Sequence, residues 1–167
     1  TSVAIIDMGD VVTKIAYLID GELRFVRTLA TGTFTIAKQL AQSINCSAQD
    51  CIDELEKYGF EQPDNASYNQ AITKACASFV QQMQFSLQSF ATQAGQAMQV
   101  QHIFLTGLGA TYNGCATWLT QQLNIPVTLF DLDAAIARQG IQMNTMGHIP
   151  LTYAISTAAA LPNERTH

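Results

Sequence analysis

Apolar and polar positions change period along this chain, and the change divides it into an all-β opening and an α/β remainder. Val3, Ala4, Ile5 and Ile6 run unbroken into Asp7, followed by Met8-Gly9-Asp10. A continuous apolar run predicts a strand over residues 3–7 that is buried on both faces. The acid at its end falls where a sheet meets solvent, and the glycine permits a tight turn there. Residues 13–19 alternate, with Ile15, Tyr17 and Ile19 on one side, and predict a second strand. Asp20-Gly21 is a two-residue hairpin turn of types that tolerate positive φ. Residues 22–29, with Leu23, Phe25 and Val26, complete a three-stranded meander.

The period then becomes helical. Thr33 or Thr35 is placed to cap a helix reaching about residue 43, with Ile36, Leu40 and Ile44 at helical spacing. Ser47-x-x-Asp50 is a capping-box signature opening a second helix over 48–58, which Gly59 ends. Residues 61–66, with Pro63, read as a loop. A long helix over 67–97 carries Ile72, Cys76, Phe79, Val80, Met83, Leu87 and Phe90 as its apolar stripe, and glutamine and serine opposite. A fourth strand over 103–106 runs into Gly107-Leu108-Gly109. A helix over 115–123 has Cys115, Trp118, Leu119 and Leu123 on its apolar face, and 126–130 is a fifth strand. Short helices follow over 134–139 and 151–161, the latter dense in alanine and threonine and so able to lie close to a sheet. The order is βββαβαβα, with paired helices after the meander. Three antiparallel strands followed by β-α units make a mixed five-stranded sheet of the ribonuclease-H-like α/β class.

Composition narrows what such a fold can do. The 167 residues fit a single domain, 1–167, with a sizeable core. Only 13% are charged, about half the usual share, so a partner or further chain is expected to cover part of the surface. Net charge is −5 without a basic run, which argues against nucleic acid. No apolar stretch is long enough to cross a membrane, so no direct membrane insertion is expected. Cys46, Cys51, Cys76 and Cys115 form no Cys-x-x-Cys pair and have no histidine at ligand spacing. They read as small buried hydrophobes of a reducing compartment rather than metal ligands or a secreted disulfide framework. The chain begins at Thr1 almost directly on a core strand, which reads as a piece of something longer.

Several motifs in this order resemble the second domain of the actin-like ATPase fold. They are Asp7-Met8-Gly9 with Thr13 four residues on, Leu105-Thr106-Gly107-Leu108-Gly109-Ala110, and Tyr153-Ala154-Ile155-Ser156-Thr157-Ala158-Ala159-Ala160-Leu161. They resemble its phosphate turn, its adenosine turn and its closing small-residue helix. Within that superfamily the chain resembles the FtsA-like PilM family of type IV pilus assembly. Val80-Gln81-Gln82-Met83-Gln84-Phe85-Ser86-Leu87-Gln88-Ser89-Phe90 is similar to a helix of that family, and Gln122-Leu123-Asn124-Ile125-Pro126-Val127 to its approach to strand five. MshI-type pilus proteins and the cytoplasmic domain of the type II secretion protein GspL share the architecture.

The resemblance implies the second half of a two-domain protein whose own first domain is missing here. It implies a cytoplasmic scaffold at the periphery of a bacterial inner membrane. Such a scaffold takes the N-terminal tail of a PilN-like partner and couples inner-membrane pilus or secretion proteins to the assembly ATPase. It implies ATP and magnesium at a degenerate site, with Asp7, Gly9, Thr13, Gly107 and Gly109 as the cofactor-binding positions. No catalytic residue or turnover is expected of this fragment. Degeneracy is expected because Asp10 places a second carboxylate beside Gly9. At about 5 Å from a triphosphate it would cost on the order of 1–4 kcal/mol, unless magnesium inverts the sign. Val11 and Val12 add no hydroxyl, and Leu108 stands where a middle glycine would admit a purine.

Each of these residues also has a purely structural reading. An acid at a strand end accepts turn N–H bonds, and a strand-to-helix turn needs glycine whatever it binds. His102, His148 and His167 are isolated, Ser47 and Cys115 lack a catalytic neighbourhood, and Asp131 and Asp133 suit helix capping. Met83, Phe85, Leu87 and Phe90 are expected in the core. The alternatives to a scaffold are the ATP-binding half of an active ATPase, and half of a small-molecule kinase using Asp7 or Asp10 over a substrate hydroxyl.

Overall fold

The computed structural model describes residues 1–94 and 99–131. The meander forms as its pattern predicts: β1 (Ser2–Met8), β2 (Thr13–Ile19) and β3 (Glu22–Leu29) pair antiparallel in succession. The chain continues through α1 (Thr33–Ile44), α2 (Ala48–Tyr58) and α3 (Ala66–Ala94) to β4 (His102–Thr106). A 3₁₀ turn (Leu108–Thr111), α4 (Cys115–Leu123) and β5 (Val127–Leu129) complete the described elements. β4 and β5 add in parallel, and the sheet order is β3-β2-β1-β4-β5. The two predicted helices over 134–139 and 151–161, and the end of the long helix, lie outside the described residues.

One face of the sheet is dry. Register brings Ala4 between Tyr17 and Ile103, and Ile6 between Ile15 and Leu105, and all six are fully buried. Ile36 and Leu40 of α1, Phe79 and Met83 of α3, and Leu119 of α4 pack within the same core. Tyr17 sends its hydroxyl across that core to Ser86 Oγ at 2.6 Å and stacks on Phe90 at 4.4 Å between centroids. This stretch of α3 is therefore mostly core, as expected. Phe85 is the exception, 61% exposed with the Arg27 guanidinium 5.3 Å over its ring.

β1 does not have the two equally buried faces its apolar run predicts. Ser2, Ala4, Ile6 and Met8 are buried, whereas Val3, Ile5 and Asp7 are half-buried. An unbroken apolar run cannot report that difference, because both sides of the strand look alike in sequence. β3 departs further. Its register slips between Tyr17 and Leu18, so Phe25 stands opposite Tyr17 but Leu23 stands opposite Leu18, with Arg24 skipped. The bulge moves Leu23 off the core side, and it is 60% exposed on an edge strand.

α2 begins as its signature requires. The Asp50 N–H donates to Ser47 Oγ at 3.1 Å, and the Ser47 N–H donates to Asp50 Oδ2 at 3.2 Å. α1 does not begin at a threonine cap. Its N-cap is Gly32, which has no side chain to offer, and its first amide groups are satisfied by a distant segment described next.

Candidate functional site

The carboxyl ends of β1 and β4 are adjacent, because the parallel register pairs Asp7 with Thr106. The residue after each strand end therefore meets its neighbour. Gly107 has φ +85° and ψ −171°, a conformation that residues other than glycine rarely adopt. A Cβ on Gly107 would collide with Asp7 Oδ1 and would stand 2.8 Å from Met8 O and 2.9 Å from Met8 N. A Cβ on Gly109 would run into the buried Met8 side chain. The two glycines thus let β4 and the 3₁₀ turn close onto the end of β1. Asp7, Gly107 and Gly109, expected together from sequence, are together here.

Asp7 is half-buried, and burial pushes its carboxyl above the ordinary value of 3.8. Lys14, its cross-strand partner on β2, acts in the opposite direction. A carboxylate held partly out of water at a sheet end is a pattern common to functional sites and to structural ion networks alike.

The turn between β1 and β2 is used internally to a degree the sequence does not announce. The Gly9 N–H donates to Val12 O at 3.0 Å. The Gly9 and Asp10 carbonyls accept from the Thr33 and Phe34 N–H groups, each at 3.0 Å. The Thr33 hydroxyl donates to Asp10 Oδ1 at 3.3 Å. These are orphan donors of the first turn of α1, satisfied by a segment about twenty residues upstream instead of by a cap. Gly32 makes the docking possible, since a Cβ there would strike the Gly9 and Asp10 carbonyls. The expectation that Thr33 or Thr35 caps α1 is corrected on this ground.

The role of Asp10 changes with it. Its carboxylate lies at the amino end of α1, where the helix dipole favours negative charge. It is placed to stabilise that end, rather than merely to repel a phosphate beside Gly9.

Thr33 reaches a third segment as well. Burial pushes the phenol of Tyr112, just past the 3₁₀ turn, upward, and the Thr33 hydroxyl beside it pulls the other way. Thr33 thus stands between the two turns. Sequence reasoning missed this role; the only local signal was that Thr31-Gly32-Thr33 breaks the strand pattern ahead of α1.

Thr13 is fully buried, and its hydroxyl donates to Thr31 O at 2.8 Å. Gly107 and Gly109 are buried too, while Asp7 and Gly9 are half-buried and Val11 at the turn tip is 64% exposed. Leu108 is half-buried on the 3₁₀ turn, where its carbonyl accepts the Thr111 hydroxyl at 2.7 Å. His102 is satisfied by Thr128 Oγ1 at 2.9 Å. Among the described residues no cluster of three or more His, Cys, Asp or Glu side chains could hold a metal ion. No described helix is long and apolar enough to cross a membrane. Asp133, His148 and His167 lie outside the described residues.

The fold recurs in solved structures. The chain superimposes on the PilM–PilN type IV pilus biogenesis complex with a TM-score of 0.72 at 19% identity, covering 96% of this chain and 45% of that one. A non-polymerising MamK mutant bound to AMPPNP matches with a TM-score of 0.63 at 16% identity over 77% of this chain and 49% of that one. MreB5 of Spiroplasma citri bound to ADP matches at 0.58 and 12% identity, over 78% and 49%. This is the actin-like ATPase fold, and the chain spans about half the length of each of these proteins. No curated protein matches. The family model described as type IV pilus assembly protein PilM matches residues 1–163, and on that match the chain belongs to the PilM family.

Proposed function

We propose that this chain is the second half of a two-domain PilM-like scaffold in a type IV pilus machine. In this reading it works on the cytoplasmic side of a bacterial inner membrane, and its ancestral phosphate turn serves as a structural joint. The missing first half supplies most of the groove for a partner's tail. The whole protein holds the N-terminal tail of a PilN-like inner-membrane protein and links it to the assembly ATPase. MshI- and GspL-type proteins are relatives that share the architecture.

The observation that supports the joint is where the turn's polar groups are spent. The Gly9 N–H is taken by Val12, the Gly9 and Asp10 carbonyls by α1, and the Thr13 hydroxyl by Thr31 inside the core. Backbone N–H groups and hydroxyls are what a triphosphate needs from such a turn. As they stand, Gly9 and Thr13 fit that requirement poorly. Titration of the full-length protein with Mg–ATP tests this: no saturable heat at millimolar nucleotide is expected, and saturable binding lost in Asp7→Ala would overturn it.

A second reading keeps ATP binding when both halves are present. It is favoured by Asp7, Gly107 and Gly109 converging at the strand ends, and by the nucleotides bound in the MamK and MreB5 structures. The same titration decides between the two.

A further inference from the structure

The first turn of α2 holds two thiols where a helix of its type places a hydrophobic contact. Ser47 is the N-cap and Asp50 the third helical residue of a complete capping box. Cys46 precedes the cap and Cys51 is the fourth helical residue. Those two positions pack against each other in the hydrophobic staple that accompanies such boxes, and the staple fixes the angle at which the chain enters the helix. Here the staple is made of sulfur. Cys46 Sγ and Cys51 Sγ are 2.8 Å apart.

The approach is held from both sides. The Cys46 N–H donates to Ala41 O at 3.1 Å, which ties it to the end of α1, where Asn45 takes φ +57°. The capping box fixes Ser47 immediately after it. Cys46 is exposed, whereas Cys51 is fully buried. Cys76 and Cys115 are buried elsewhere in the core.

We propose that Cys46 and Cys51 are an oxidisable pair, a modification site at which a hydroperoxide converts the staple between α1 and α2 into a disulfide. The exposed Cys46 sulfur, as thiolate, attacks the peroxide oxygen. The O–O bond breaks, the leaving hydroxide or alkoxide takes a proton, and Cys46 becomes a sulfenic acid. Cys51 Sγ then attacks Cys46 Sγ, the S–O bond breaks, and the departing hydroxide leaves as water with the Cys51 proton. Two thiols lose two electrons and two protons, and hydrogen peroxide becomes two waters. The division of labour follows from access, since only Cys46 is open to the oxidant and only Cys51 is within reach of it. Burial, followed by the bond to Cys46 and the charges of Asp50 and Glu54, raises the Cys51 thiol to about 12. Cys51 is thus a poor first nucleophile and acts only on a sulfur already oxidised beside it.

The pair lies within one tryptic peptide, between Lys38 and Lys57, so the bond can be read by mass. Full-length protein treated with hydrogen peroxide, then alkylated under denaturing conditions and digested, should give peptide 39–57 lighter by two hydrogens than the reduced peptide and free of alkyl label. Dithiothreitol should reverse the change. Cys46→Ser should leave Cys51 alkylated in full and unoxidised, whereas Cys76→Ser should leave the closure intact. Cys51→Ala should stop oxidation at a sulfenic acid on Cys46, trapped by dimedone, which keeps the test decisive if one serine variant misfolds. Recovery of peptide 39–57 with both thiols alkylated after peroxide, or oxidation of Cys46 with Cys51 still alkylated in the wild-type protein, would overturn the proposal.

Discussion

Replacing Gly107 by alanine measures how tightly the two strand ends are closed onto each other. Two separate demands meet at this residue. Its φ of +85° with ψ −171° lies in a region that is essentially glycine-only, worth about 1–3 kcal/mol for any other residue. A methyl group would also press on Met8 O and Met8 N, backbone atoms that cannot rotate away, at 2.8 and 2.9 Å. Overpacking of that kind adds roughly 1–3 kcal/mol. A total of about 2–6 kcal/mol is expected, a large share of the 5–15 kcal/mol that typically holds a domain folded.

Gly21 supplies the internal control. It has nearly the same φ, +82°, but at the hairpin tip nothing lies within 4 Å of the point a Cβ would occupy. Gly21→Ala should therefore cost only about 1–2 kcal/mol, the penalty of positive φ alone. Urea denaturation of both variants, with an unchanged slope, reads the difference directly. A loss in Gly107→Ala no larger than that in Gly21→Ala would refute the claim that the β1 and β4 ends are closed without slack.

Three further outcomes follow from particular contacts. Asp7 is raised by burial, so its ionisation opposes folding: its contribution is favourable below the ordinary value of 3.8 and is lost as pH rises through the higher folded value. Asp7→Asn should then match the wild type in acid and exceed it in urea midpoint at neutral pH, whereas a loss at neutral pH would show that the carboxylate is paired. Asp10→Ala should lower stability by about 0.5–1 kcal/mol through the amino end of α1, as read by urea melts, and should not create saturable nucleotide binding in calorimetry. Tyr17→Phe and Ser86→Ala should each cost about 1–2 kcal/mol because each strands a buried hydroxyl. The double variant should cost clearly less than the two singles together in denaturant melts.

What could be read from the sequence divides along physical lines. Local signals held: the Asp20-Gly21 hairpin, the Ser47/Asp50 capping box and the apolar stripe of α4 depend on residues a few positions apart, and all appear where expected. The misreadings were tertiary. Gly32 replaced a threonine cap because the partners of α1 are carbonyls of a turn that only folding brings near. Nor does any local signal show that the Thr13 hydroxyl meets Thr31 O once β2 and β3 have paired. Leu23 left the core side through a bulge that no alternation of residue types encodes. Cys46 is exposed although cysteines in an apolar chain read as buried, because its position before a helix cap places it at the surface. At the candidate site, the convergence of Asp7 with Gly107 and Gly109 was legible from strand ends and glycines. The Asp10–Thr33 contact, with Tyr112 beside it, was not, because these residues lie far apart in sequence.

The most direct test of the scaffold is association of the full-length protein with the N-terminal tail of a PilN-like inner-membrane protein, titrated as a labelled peptide with and without Mg–ATP. A scaffold whose phosphate turn is a structural joint binds the tail saturably and equally in both conditions. Binding that requires Mg–ATP, or no binding in either condition, would contradict it.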